Sequence, residues 1–347
     1  MATHGYATEA GRINEVKGET LAHAIPVEVL ALGCSMKKMP KKSGDNITYR
    51  RWLPFGATST NVNTQNRPSV TASAHIVAEG VTPAADTLTP VDVAVTQQQY
   101  ACLYAYTDKA AELYEDDIPD EMKIQAGERM GLVREMIRFG SIKAGTNVLY
   151  SGGTTRLTVD EKITLNVLRR MTRTLKLNHA KKKRRILSPS RDYDTSAVEA
   201  AYIVFVSTDA EADIRDLPGF TVVAKYANRS PINENEIGSC EEFRFVTSPE
   251  LTAYASSGAA VGATGLLSTD AASVDVYPFM VMGEDSVFDV ALRGMNSFTM
   301  NHLPHNKPDK SDPGGQRGYV YCGFWSAVLV ANGGWMGVIE AGVSALT

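Results

Sequence analysis

The stretch from Asn46 to Thr107 constrains the fold of this chain more than any other. Asn46-Ile47-Thr48-Tyr49-Arg50-Arg51-Trp52-Leu53, bounded by Gly44 and Pro54, is rich in β-branched and aromatic residues and reads as a strand. Residues 56–69 then carry Ser, Thr, Asn and Gln with almost nothing to bury. Strand character resumes over 70–78 and 91–107, where Val91, Val93 and Val95 alternate against Asp92, Ala94 and Thr96. Between the two lies Glu79-Gly80-Val81-Thr82-Pro83. A polar excursion of this size is a long protruding hairpin, and compact domains seldom carry such a loop unless it makes contacts.

Downstream the period changes from two to 3.6. A helix is expected over about 117–150, with Asp116, Asp117, Asp120 and Glu121 gathered at its start and Pro119 in its first turn, where the macrodipole favours acids and the missing N–H costs nothing. Ala126, Met130, Val133 and Ile137 form one apolar stripe, and Leu132, Met136 and Phe139 a second beside it. Gly127, Gly131 and Gly140 each cost up to ~1 kcal/mol relative to Ala, which implies close packing against other backbone. About 30 residues at 1.5 Å each give a spine ~45 Å long. Residues 1–44 form an extended arm with one short helix around 25–32, ending in Lys37-Lys38-Met39-Pro40-Lys41-Lys42. Its apolar residues are few and Pro26 interrupts them, so they find partners on another element or another subunit.

Thr158-Val159-Asp160-Glu161 reads as a capping box opening a second helix, with Leu168, Met171 and Leu175 on one face and an end near Asn178-His179. The basic run 181–185 follows, then the buried-strand run Tyr202-Ile203-Val204-Phe205-Val206 and another capping box, Thr208-Asp209-Ala210-Glu211. Short strands are expected at 243–246, 274–282 and 287–292, and a central strand in 318–330.

Composition narrows the classes. A chain of 347 residues holds one elaborate domain or two smaller ones, since domains run to ~100–200 residues. The 44% hydrophobic and 21% charged fractions are those of globular chains, which argues against disorder. No run of roughly 18 uncharged apolar residues occurs and the N-terminus lacks a signal-peptide layout, so the chain is expected to stay in the cytoplasm where it is made, with no membrane partner. A formal net charge of -4 argues against a protein that coats nucleic acid. Cys34, Cys102, Cys240 and Cys322 stand apart from one another, without metal or redox spacing, and read as free buried thiols.

Several residues invite a site and are better read otherwise. His302-x-x-His305 has the spacing of two metal ligands on a helix, but Leu303-Pro304 and Pro308 deny it the helix, and a loop contact is the plainer reading. Glu115-Asp116-Asp117 is explained by capping of the long helix, with room to meet a basic patch on a neighbour. Lys181, Lys182, Lys183, Arg184 and Arg185 read as a solvated or intersubunit cluster in preference to a DNA site. Ser151-Gly152-Gly153-Thr154 lacks the Gly-Lys-Ser/Thr of a phosphate loop, and no nucleophile elbow is present. Neither catalysis nor a cofactor is called for.

With its elements in this order, the chain resembles the major capsid protein family named for coliphage N-four, whose members have the Hong Kong 97-type capsid fold. The resemblance spans about Ala24 to Ile339. It is carried by Leu21-Ala22-His23-Ala24-Ile25-Pro26, residues 79–83, Tyr114-Glu115-Asp116-Asp117-Ile118-Pro119, the run Gly127 to Glu135, Asn178-His179-Ala180-Lys181, Asp209 to Phe220, and Phe243 to Leu251. It implies an α+β fold: an arm at 1–44, an extended loop at 45–98, a peripheral domain at 99–197 containing the spine helix, an axial domain at 198–302, and a return to the peripheral domain at 303–347. It further implies a non-enzymatic subunit, assembled in the host cytoplasm, that builds hexamers and pentamers into an icosahedral virion head. Its partners would be copies of itself, a portal protein, optional scaffolding and decoration proteins, and packaged double-stranded DNA held non-specifically on the inner face. Intersubunit contacts are expected from Arg50, Arg51, Trp52, Glu79, Glu115, Asp116, Asp117, Lys181, Lys182, Arg184 and Arg185. An encapsulin-like compartment shell is the alternative on the same fold. A soluble α/β enzyme using 202–220 as a ligand-binding strand–helix unit is a remote one.

Overall fold

The computed structural model describes residues 25–40, 42, 44–57, 64–83, 85–113, 117–184, 199–226, 231–262, 264–292, 298–308 and 310–346. Two sheets, one two-stranded hairpin and a long helix that joins the sheets make up the described chain.

The larger sheet has seven strands in the spatial order β5 (Val148–Tyr150), β14 (Met336–Ala341), β10 (Tyr277–Met282), β6 (Tyr202–Ser207), β9 (Phe243–Ser248), β8 (Glu236–Cys240) and β7 (Thr221–Val222). Its central strands are buried along their whole length, because apolar residues point to both faces and both faces are covered. On one face Tyr202, Val204, Val206, Phe279, Val281 and Ile339 pack under α3 (Leu165–Leu177), through its Val167, Leu168, Met171 and Leu175. On the other, Ile203, Phe205, Met280, Met282 and Val338 meet Val29 and Leu30 of the N-terminal segment and Phe139 and Ile142 of the long helix.

The second sheet has the order β1 (Ser35–Met39), β11 (Val287–Leu292), β13 (Arg317–Val330) and β12 (Thr299–Leu303), with β4 (Gln98–Thr107) along the opposite side of β13. The central strand expected in 318–330 is β13. A short helix α1 (Asp108–Leu113) follows β4, and α2 (Ile118–Lys143) is the long helix: 26 residues, or ~39 Å. Its two stripes go to two different cores. Ala126, Met130, Val133 and Ile137 lie on Cys102, Tyr106, Val320 and Phe324 of the second sheet, while Met136, Phe139 and Ile142 belong to the seven-stranded sheet. The helix therefore ties the two sheets together.

Several local expectations need correction. Residues 70–78 form no strand; a 3-10 turn at Ala72–His75 lies there, fully exposed and without ladder partners. Thr158 does not open a helix. With Thr155 it closes a 3-10 turn at Arg156–Thr158, since Val159 and Ile163 are drawn into the core, and α3 starts at Leu165 under a cap from Thr164. Ser207, one residue earlier than Thr208, caps the turn that runs into α4 (Glu211–Arg215). Of the glycines read as points of backbone contact on α2, Gly140 faces open space and Gly131 faces the Glu28 carboxylate instead of backbone. The α3 segment and β14 both sit with the seven-stranded sheet, although sequence order places one among residues 99–197 and the other among 303–347.

Candidate assembly surfaces

β2 (Asn46–Trp52) and β3 (Pro90–Thr96) pair antiparallel, Asn46 opposite Thr96 and Trp52 opposite Pro90, and side chains on both strands alternate between half-buried and exposed. Arg50 and Asp92, directly opposite, form a two-pronged ion pair at 2.7 and 2.8 Å that draws the Asp92 carboxyl below its usual range. Beyond the strands the excursion divides in two. Its first part folds back on the body: Leu53 N–H donates to Thr89, Ser69 N–H to Phe55, and Arg51 to the side chains of Gln65 and Asn66. Asn66 and Asn332 exchange amide hydrogen bonds at 2.8 and 3.0 Å, and Arg67 Nε reaches Asn178 at 3.3 Å.

The second part is different. Every described residue from Pro68 to Pro90 is exposed, and the segment displays Val70, Ile76 (80% exposed), Val77, Val81 and Leu88 (75% exposed). Glu79 lies in its tight turn, where Val81 N–H donates to Ala78 and Gly80 adopts a φ of 78° that favours glycine. Leaving five large apolar side chains in water forgoes ~1.5–3 kcal/mol each relative to burial. Trp52, 56% exposed, and Phe55, 67% exposed, continue the apolar surface at the loop's root.

The N-terminal segment is fastened by charge. Glu135 of α2, fully buried, accepts the backbone N–H groups of Val29 and Leu30 at 2.8 and 2.7 Å through one oxygen. Its other oxygen takes Arg138 Nη1 at 3.2 Å. Arg138 also grips Asp289 of β11 at 2.8 and 3.0 Å and lies 3.7 Å from Glu28. Burial works against the Arg138 charge, but Asp289, joined by smaller contributions that include Glu135, outweighs it, and its pKa ends above the ordinary value. At the far end of the turn Leu30–Leu32, Lys183 Nζ donates to the carbonyls of Gly33 and Leu32 at 2.5 and 3.3 Å. Burial holds the Lys183 pKa below its usual value. A carboxylate on the free N–H groups and an ammonium on the free carbonyls match the ends of the turn. Sequence reading missed this clip. Its visible trace is a charged pair, Glu135 and Arg138, set three apart inside the apolar stripes of α2.

The remaining expected contact residues fall in several places. Asp117 accepts the N–H of Asp120 at 3.2 Å as the cap of α2, while Glu115 and Asp116 lie outside the described residues. Lys182 pairs with Glu242 at 3.2 Å, Lys181 and Arg184 are exposed, and Arg185 lies outside the described residues. His302 contacts the Tyr106 hydroxyl at 2.7 Å from strand β12, and His305 lies 3.5 Å from Glu112. Neither belongs to a metal-holding group, and none exists among the described residues. All four cysteines are buried and free. No described helix is long and apolar enough to cross a membrane.

Comparison with known proteins places this architecture. No family model matches the chain. A major capsid protein of Pseudomonas phage KPP21 is 20% identical, with the alignment covering 87% of this chain and 85% of that protein. The solved capsid of cyanophage Pam1 has a subunit that superposes over 100% of both chains with a TM-score of 0.61 at 16% identity. The head of Helicobacter pylori bacteriophage KHP40 matches over 99% of this chain and 98% of its own, with a TM-score of 0.63 at 10% identity. The capsid of Ralstonia phage GP4 matches over 100% of both chains with a TM-score of 0.60 at 11% identity. The fold is therefore the α+β fold of phage capsid subunits. The curated relative of matching length is a major capsid protein.

Proposed function

We propose that this chain is the major capsid protein of a tailed phage, a structural and non-catalytic subunit that self-assembles into the icosahedral head of the virion. The observation that carries the reading is a capsid fold matched along the chain combined with a loop, 68–90, whose apolar side chains the described residues leave uncovered. In this reading the second sheet and the first half of α2 form the peripheral unit, and the seven-stranded sheet with α3 and α4 forms the axial unit at the capsomer centre. Hexamers and pentamers form in the host cytoplasm, with the 68–90 loop, Trp52 and Glu79 lying on a neighbouring subunit and Arg50 and Arg51 stiffening the root of that loop. Asp117 with its acidic neighbours, and the exposed Lys181 and Arg184, supply polar contacts at the rims. The closed shell encloses double-stranded DNA, meets a portal at one vertex, and is served during assembly by any scaffolding or decoration proteins its phage encodes. Electron microscopy of the protein expressed with its neighbouring viral genes tests this: closed particles are expected, and a persistent small oligomer would contradict it.

A further inference from the structure

Between Arg169 and Lys176 the only exposed residues of α3 are cations: Arg169, Arg170, Arg173 and Lys176. The opposite side of the helix, Leu168, Met171 and Leu175, is buried and Thr172 and Thr174 are half-buried, so these four cations dominate the helix's solvent face there. Lys182 joins them in space, because Lys176 and Lys182 share the Glu242 carboxylate. Glu241, 2.6 Å from Arg169, is the other acid at ion-pair distance, and Arg170 and Arg173 have no acidic partner among the described residues. Five cations thus stand over two carboxylates on a chain whose net charge is -4.

We propose that this cationic face of α3 binds the phosphate backbone of duplex DNA, and that in the assembled head it is a surface on which the shell meets its packaged genome. The inference rests on the capsid reading for its biological setting. Three features favour phosphate over an acidic protein. The face carries a single exposed apolar side chain, Leu177 at its C-terminal end (45% exposed), whereas a protein interface is built around an apolar core. Arginines, whose planar guanidinium forks match phosphate oxygens, supply three of the four helix positions and both unpaired ones. Cations one turn apart, about 5–6 Å between Cβ atoms, give a line of charge that can follow a strand of regularly spaced phosphates. Contacts of this kind carry no sequence preference and weaken steeply with salt.

The test is binding of a labelled 20-base-pair duplex to the unassembled full-length protein, followed by fluorescence anisotropy from about 50 to 200 mM salt. R170Q/R173Q is compared with wild type and with K225Q/K307Q, which removes the same charge from exposed positions away from α3. The R170Q/R173Q protein should bind about tenfold more weakly at the low-salt end, with the slope of log K against log salt shallower by about two, while K225Q/K307Q stays near wild type. Equal behaviour of the two variants, or a wild type that does not hold the duplex at about 50 mM salt, would overturn the assignment. So would capture of poly-L-glutamate in preference to DNA, which would give the face to an acidic polypeptide. Unchanged melting of both variants excludes misfolding. The measurement uses unassembled protein, so its failure leaves the capsid reading standing, and failure to form particles leaves the binding result standing.

Discussion

Glu135 and Arg138 show buried charges held by several partners each. Glu135 takes two backbone N–H groups and one guanidinium, and Arg138 spans to Asp289 on another element. Removing one member leaves the rest uncompensated in a low-dielectric site, a loss of about 3–5 kcal/mol. Glu135→Ala should therefore lower the unfolding free energy of the unassembled subunit, measured by urea titration, by that amount and expose residues 25–34 to limited proteolysis; a cost below about 1 kcal/mol would remove the clip from the account. A second residue-scale consequence concerns alkali. Burial pushes the Cys34 thiol from 9.0 up to about 12 and the phenols of Tyr202 and Tyr226 from 10.0 up to about 12. Each group keeps its proton in the folded chain at a pH where the unfolded chain has released it, so its stabilising contribution is whole below pH 9 and is lost as pH rises toward 12. Stability measured against pH should fall across that window, less steeply in Cys34→Ala; parallel curves would contradict the assignment to Cys34.

At the scale of elements, the long helix was legible in the sequence because its evidence is local: acids and Pro119 at the start, and two stripes at helical spacing. The strands Asn46–Trp52 and Tyr202–Ser207 were legible for the same reason. Sheet membership was not, because β14 sits in the seven-stranded sheet by pairing with β10, nearly sixty residues earlier, and with β5, earlier still, and no residue type in 336–341 encodes that choice. The excursion was legible as a loop but not as two parts, because docking of Asn66 depends on Asn332, far along the chain. That division moves the expected contact surface from 56–69 to 68–90. Replacing residues 70–88 by a short turn should leave a subunit that melts normally yet forms no closed shells, and normal particles would refute the role given to the loop. The helix glycines separate in the same way. Gly140→Ala meets nothing and should stabilise by about 0.5–1 kcal/mol. Gly131→Leu drives a side chain into the Glu28 carboxylate and should cost about 1–3 kcal/mol, and thermal melting that ranks the two in reverse would contradict the packing described.

Taken whole, the molecule is two sheets bolted by one helix, with apolar cores on both faces of the larger sheet and an apolar loop left exposed at the periphery. Its buried strands need no partner beyond the chain, whereas the 68–90 loop and the face of α3 present apolar and cationic surfaces with little on the chain to answer them. Such a division suits a subunit that folds alone and acquires its function only in numbers. The central claim is that the 68–90 loop is an assembly surface. Cryo-electron microscopy of particles from the wild-type protein, co-expressed with its neighbouring viral genes, tests it most directly. The account predicts closed icosahedral shells in which residues 70–88 of each subunit lie buried on a neighbour. Shells in which that loop remains in solvent, or the absence of any shell, would contradict it.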